Sequence, residues 1–150
     1  MTGRIVVHSL DQAKAALDAA SALKRGVVLA SGPGAGAYAG PAWFKSLVAL
    51  AKESHPGAEV ESQLDCGDSS GAALAALRHG FKRVGFSGNA RARAALEDMA
   101  RAYGALIENG LEDSGAGASL DLSGAKNPQA LCKTYLAGEP GRPEAPGTRK

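Results

Sequence analysis

AEVESQLDCGDSSGAALAAL, residues 58–77, is the stretch that decides how this chain folds. Its first half is strand-like. Successive side chains on a strand point to opposite faces, so Val60, Ser62, Leu64 and Cys66 share one face and Glu61, Gln63 and Asp65 the other. Its second half is an Ala-rich helix with Ala73, Leu74 and Leu77 at helical spacing. Asp68, Ser69 or Ser70 serves as its N-cap and Gly80 as its stop. A strand that runs straight into a helix is a β-α unit. The strands of a sheet covered by helices on both faces are continuous apolar runs, and this one is not. Two architectures accommodate it. Either the strand lies at the edge of a doubly wound, flavodoxin- or Rossmann-like three-layer sandwich, or helices cover only one face of a curled sheet. In a (β/α) barrel the second face looks into the lumen.

The same unit recurs on both sides. RIVVH (4–8) is a short β-branched run, followed by Ser9 and Gln12 as an S-x-x-Q capping box, a helix carrying Ala13, Ala16, Leu17, Ala20 and Leu23, and Gly26 as its stop. GVVLAS (26–31) is a second strand. A glycine-rich loop then leads to Gly40-Pro41, with proline at the first position of a helix whose apolar face is Phe44, Leu47, Val48 and Ala51 and which ends before His55-Pro56. KRVGFSG (82–88) and ALIEN (105–109) are the fourth and fifth strands. Between them lies a helix that Asn89 caps, with Ala92, Leu96, Met99 and Tyr103 on one face and Gly104 as its stop. LDL (120–122) is a short sixth strand, and Asn127-Pro128 opens a last helix that Gly138 ends. Alternation of this kind predicts an α/β fold with a five- or six-stranded, mostly parallel sheet, partial-barrel-like, with the doubly wound sandwich as the alternative. Residues 1–137 form one domain on this reading, and the Pro/Gly-rich stretch 138–150 reads as a disordered tail.

Bulk composition narrows the function classes. The chain has 150 residues, 21% of them charged, and a net charge of +2, of which the tail carries +1. A near-neutral body with 5% aromatics argues against stacked nucleic acid. Arg78, His79, Lys82, Arg83, Arg91, Arg93 and Arg101 make the third and fourth units locally basic, without interleaved aromatics. No apolar run is long enough for a signal peptide or a membrane span, and two cysteines make no disulfide framework. The expectation is a cytoplasmic protein with reduced thiols and no membrane or nucleic-acid partner.

Ligands of parallel α/β folds gather beyond the carboxyl ends of the strands. The candidates there are His8; Ser31, Gly32 and Gly34; Asp65, Cys66 and Asp68; Ser87, Gly88 and Asn89; and Glu108 with Asn109. Asp65 and His8 suit proton transfer, with Asp65 and Asp68 as an alternative magnesium-binding pair beside a phosphate. Ser87-Gly88-Asn89 suits an anion at a helix N-terminus. Ser9, Asp68 and Asn89 are also ordinary helix caps, Cys66 points to the apolar face, and His8 reads equally as a hydrogen-bonded core histidine. Glu61 and Gln63 would face a ligand if the polar face of their strand lines a cavity. Gly34–Ala39 matches G-x-G-x-x-A, but Pro41 starts the helix after the motif and no acid follows about 20 residues on, so the dinucleotide fingerprint lacks its context. The loop then reads as a flap over the site or as a long connection with Tyr38 packed down. Three scattered histidines and two distant cysteines give no zinc spacing, so no metal site is assigned from them, and no cofactor is indicated.

HSLDQAKAALDAA (8–20) and LDCGDSSGAALAALRHGFKRVGFSG (64–88) resemble β-α units of phosphate-binding (β/α) barrels of the aldolase and lyase kind, through an Ala-rich helix ending Ala-Leu-Arg-x-Gly and a strand ending in a Ser-Gly turn. The resemblance implies a site at the strand carboxyl ends and an anionic substrate. Schiff-base aldolases need a lysine at the end of a strand, whereas here Lys82 begins a strand and Lys126 lies on a late loop, so imine chemistry is not expected. The sequence leaves two functions open. One is a protein that binds a small anionic, for instance phosphorylated, ligand with lyase- or isomerase-like chemistry. The other is a non-catalytic assembly or regulatory module that self-associates, as a homodimer, through the sheet face or its helices.

Overall fold

In a computed structural model, residues 3–109 and 119–138 are described. The expected tail and most of the loop before the sixth strand lie outside these residues. The elements are β1 (Gly3–Val6), α1 (Leu10–Leu23), β2 (Val27–Ala30), α2 (Ala35–Tyr38), α3 (Pro41–Lys52), β3 (Val60–Asp65), α4 (Ser70–Arg78), β4 (Arg83–Gly85), α5 (Ala90–Tyr103), β5 (Leu106–Glu108), β6 (Leu120–Asp121) and α6 (Pro128–Ala137). No helix among the described residues is long and apolar enough to cross a membrane.

All six strands are parallel and pair in the order β5-β4-β3-β2-β1-β6. From β1 to β5 each strand adds to the same side of its predecessor. Right-handed crossovers taken repeatedly in one direction put every connecting helix on the same face. The packing agrees. One apolar core joins Ile5, Val7, Val27, Leu29, Leu64, Cys66, Val84 and Phe86 to the buried residues of α1, α3, α4, α5 and α6. Phe44 of α3 stacks on Phe81 across 6.3 Å within it. The doubly wound alternative is therefore corrected: β3 is an interior strand, and among the described residues no helix packs on its polar face.

The burial and the polar contacts on that second face fit a concave surface. Arg4 Nη1 on β1 donates to Gln63 Oε1 on β3 at 2.8 Å, reaching over β2, and Gln63 Nε2 donates to Glu108 Oε1 on β5 at 2.9 Å, reaching over β4. Strands two apart lie about 9.6 Å from each other, a gap these long side chains can bridge; the burial of Arg4 and Gln63 on a face without a described helix is what fits a surface curled toward itself. The ladder runs on at both ends. Arg4 Nε donates to Ser119 Oγ beside β6, and Arg83 joins Glu108 at 2.9 Å and Glu61 at 2.7 Å. Burial by itself would weaken the Arg83 charge, but the two carboxylates outweigh it and hold the guanidinium protonated. Val6, Val28 and Ala30 fill the space over the first two strands.

Local details depart from expectation where one residue could be replaced by its neighbour. The left-handed residue that ends α1 is Lys24 (φ 55°), two positions before the expected Gly26. Of the three candidate caps of α4, Ser69 is the one that accepts the Ala72 N–H. KRVGFSG contributes only Arg83–Gly85 to the sheet. On α5, Leu96 and Ala100 are buried, whereas Met99 and Tyr103 are exposed. The glycine-rich loop contains the one-turn helix α2, and Tyr38 is 74% exposed instead of packed down.

Candidate functional site

The carboxyl ends of β1, β2, β3, β4 and β6 form a continuous rim. At its β1–β6 end, His8 Nε2 lies 2.7 Å from Asp121 Oδ1, and the same oxygen accepts the Ser123 N–H at 2.9 Å. Burial alone would raise the Asp121 carboxyl, but the Ser123 amide and His8 outweigh it and pull it below the ordinary aspartate value. The His8 side chain is 34% exposed. In the tautomer that gives Nε2–H to the carboxylate, Nδ1 is the bare ring nitrogen, because the partner of one imidazole nitrogen sets the state of the other. Nδ1 and Cε1 pack against Gly32: a Cβ there would sit 3.1 and 3.0 Å from them and 3.7 Å from the Tyr38 hydroxyl. Gly32 thus brings the backbone of the loop after β2 up to the imidazole, with Tyr38 on the same side.

The middle of the rim is a web of backbone ties. Asp65 Oδ2 accepts the N–H of Gly34 at 2.7 Å and of Gly67 at 3.3 Å. Gly34 takes φ 71° there, a conformation glycine adopts without strain. Ser31 is fully buried; its hydroxyl accepts the Asp65 N–H at 2.9 Å and donates to the Gly32 carbonyl at 3.1 Å. The Ser87 N–H donates to the Gly67 carbonyl at 2.8 Å, which joins the β4 turn to the β3 turn. Asn89 Oδ1 accepts the Ala92 N–H at 2.8 Å, so its side chain works as a cap.

The structure thus gathers His8, Gly32, Gly34, Ser87 and Gly88 along one rim, with His8 and Ser87 open to solvent. Ser31 and Asp65 lie beneath it, engaged in holding its turns. Asp68 is exposed with α4 capped by its neighbour. Glu61 and Gln63 are not brought to the rim. Gln63 is fully buried inside the curl, and Glu61 lies toward the other mouth, paired with Arg83. Cys66 is buried, and burial pushes its thiol up to about 12, with Asp65 adding to the rise, which removes it as a nucleophile at neutral pH. Among the described residues no group of three or more His, Cys, Asp or Glu is placed to hold a metal ion. A concavity of about 390 Å³ lined by Lys24, Arg25, His55 and Glu59 lies at the amino ends of the strands, away from this rim.

Sequence reasoning missed Asp121, Gln12 and Arg4. The signal for Arg4 was present: Arg4, Val6 and His8 share a face of the first strand by simple alternation. Asp121 ends the two-residue β6, and nothing in LDL says that its neighbour is β1.

No protein-family model matches the chain. It is similar to a protein named fructose-bisphosphate aldolase from Xanthobacter flavus, 29% identical over 153 residues, with 89% of this chain and 43% of that protein covered. The plasmid fructose-bisphosphate aldolase of Cupriavidus necator is 34% identical over 93 residues, covering 62% of this chain and 26% of its own length. The fructose-bisphosphate aldolase of Thermus caldophilus is 34% identical over 113 residues, covering 71% and 36%. The chain spans less than half the length of each, and its likeness to them is that of a distant, partial relative.

Proposed function

We propose that the chain binds a small phosphorylated ligand at the carboxyl ends of its strands and that the rim supports lyase-type proton transfer. The observation that carries this reading is the His8–Asp121 pair, solvent-accessible at the strand ends of a one-sided β-α sheet in a chain similar to proteins named fructose-bisphosphate aldolase. His8 Nδ1 is the proton-transfer atom on this reading, Asp121 its orienting carboxylate, and the Ser87-Gly88 turn at the head of α5 the anion contact. Asp65 serves by fixing the Gly34 and Gly67 turns between them.

Amide NMR during titration with fructose 1,6-bisphosphate and, separately, inorganic phosphate tests it. Shifts are expected at Gly32, Gly67, Ser87 and Gly88. A rim unmoved by either compound overturns the reading. If the chain also cleaves the bisphosphate, His8→Ala should lower turnover by about 10²-fold or more, the usual contribution of a positioned acid–base group.

A second reading, self-association, is favoured by Leu106, which stands 59% exposed on the edge strand β5. Open edges invite pairing. Sedimentation of wild type against Leu106→Lys distinguishes the two, since only an assembly through this edge would dissociate.

A further inference from the structure

Gln12 occupies the third position of α1, where a capping box would turn its side chain back onto the cap residue's own N–H. Its backbone follows that pattern, with the Gln12 N–H donating to Ser9 Oγ at 3.2 Å. Its side chain does something else. Oε1 accepts the His8 N–H at 2.7 Å, and Nε2 donates to the Leu122 carbonyl at 2.8 Å. The amide therefore spans from the end of β1 to the end of β6. The latter is a weak element: it has two residues and, among the described residues, pairs only with β1. One more tie, the Leu122 N–H to the Val6 carbonyl at 3.1 Å, continues that pairing. The result is a closed circuit. It runs from the His8 backbone through the Gln12 amide to Leu122, across one peptide to Asp121, and back through the carboxylate to the His8 imidazole.

We propose that Gln12 is a positioning residue that holds the end of β6 against β1, so that Asp121 keeps the His8 ring protonated at Nε2 with Nδ1 bare toward Gly32 and Tyr38. The position requires an amide, because one arm must accept and the other donate. A glutamate keeps the accepting arm and the helix start but sets a carboxylate against the Leu122 carbonyl. The inference deepens the proposed proton-transfer role of His8 and rests on it for its functional meaning, while its geometry can be tested without any ligand.

The test is nitrogen NMR of the full chain labelled at histidine, at a pH where the ring is neutral. Wild type should show one protonated and one bare His8 nitrogen. Gln12→Ala and Gln12→Glu should both collapse the two signals toward a tautomer average. In Gln12→Glu, circular dichroism should show the helix content intact, so a general loss of fold is not the cause. A Gln12→Glu variant that keeps the wild-type pattern overturns the proposal, and so does an averaged pattern in wild type. Failure of the phosphorylated compounds to move the rim would remove the proposed function while leaving these signals as they are.

Discussion

Leu64 and Gln63 are neighbours on β3, and both are completely buried, but by different means. Leu64 faces the helices and is held by apolar packing in the single large core. Gln63 faces the concave side, where none of the described helices packs, and is held by a run of hydrogen bonds between Arg4 and Glu108. The convex face is stabilised by area removed from water, which is roughly additive and non-directional. The concave face is stabilised by a directional ladder whose members depend on each other. The inner side is thus bridged by long polar side chains, with Val6, Val28 and Ala30 as the apolar filling over β1 and β2.

The largest effect should come from the convex side. Leu64→Ala is expected to cost about 2–5 kcal/mol in urea unfolding, as buried leucine truncations do. Methionine at each position separates the two mechanisms. Leu64→Met conserves volume and should cost less than about 1.5 kcal/mol. Gln63→Met conserves length but removes one partner from Arg4 and one from Glu108, at about 1.5–3 kcal/mol for hydrogen bonds to charged groups. If the two methionine variants unfold alike, the ladder does not hold the concave face.

A smaller effect is expected where α2 meets the convex side. A Cβ on Gly36 would lie 2.6 Å from Cys66 Sγ and 3.2 Å from the Asp65 carbonyl. Gly36→Ala should therefore destabilise by about 1–3 kcal/mol through overpacking. Cys66→Ala removes the nearer clash, so the double variant should recover part of that loss in a mutant cycle. Strict additivity would mean that α2 shifts away as a unit.

The alternation of VESQLD showed both faces of β3 directly, and with them the choice between one covered face and two. The helix starts at Pro41, Asn89 and Asn127 were legible because proline and asparagine act within one turn. Strand order was not, because it depends on which edges meet in space; that is why Asp121 could not be placed beside His8. Gln12 was legible as a capping residue, yet its side chain was drawn away by the Leu122 carbonyl, a partner 110 residues distant. Glu61 and Gln63 were correctly seen as polar and set apart from helices. Their partners Arg4, Arg83 and Glu108 could be found only once β1, β4 and β5 had neighbours.

Alkaline pH should sharpen the contrast from the convex side. Cys66 and Cys132 are both buried there, with thiols pushed up to about 12 from an ordinary value of 9.0. A raised folded value means that the folded state holds its protons more tightly. This stabilisation is complete below pH 9 and is lost as pH climbs toward 12. At pH 10 each thiol should cost on the order of 1 kcal/mol relative to pH 8. The Cys66→Ala/Cys132→Ala protein should show a correspondingly flatter pH dependence, and wild type should react with a thiol reagent only as fast as it opens.

The smallest effect belongs to the rim, where the concave face ends. Asp121 is depressed below its ordinary value of 3.8, so its contribution is present above that pH and disappears as the pH falls through the folded value. Its side chain is 53% exposed, so solvent screens the pair with His8 and the contribution to stability stays under about 1 kcal/mol. Asp121→Asn should therefore unfold within that margin of wild type at neutral pH and converge with it in acid. A loss of several kcal/mol would mean that Asp121 belongs to the ladder that holds the curl. A small loss, accompanied by a changed His8 ring state, fits a rim residue whose work is orientation, held where it is by the Gln12 amide.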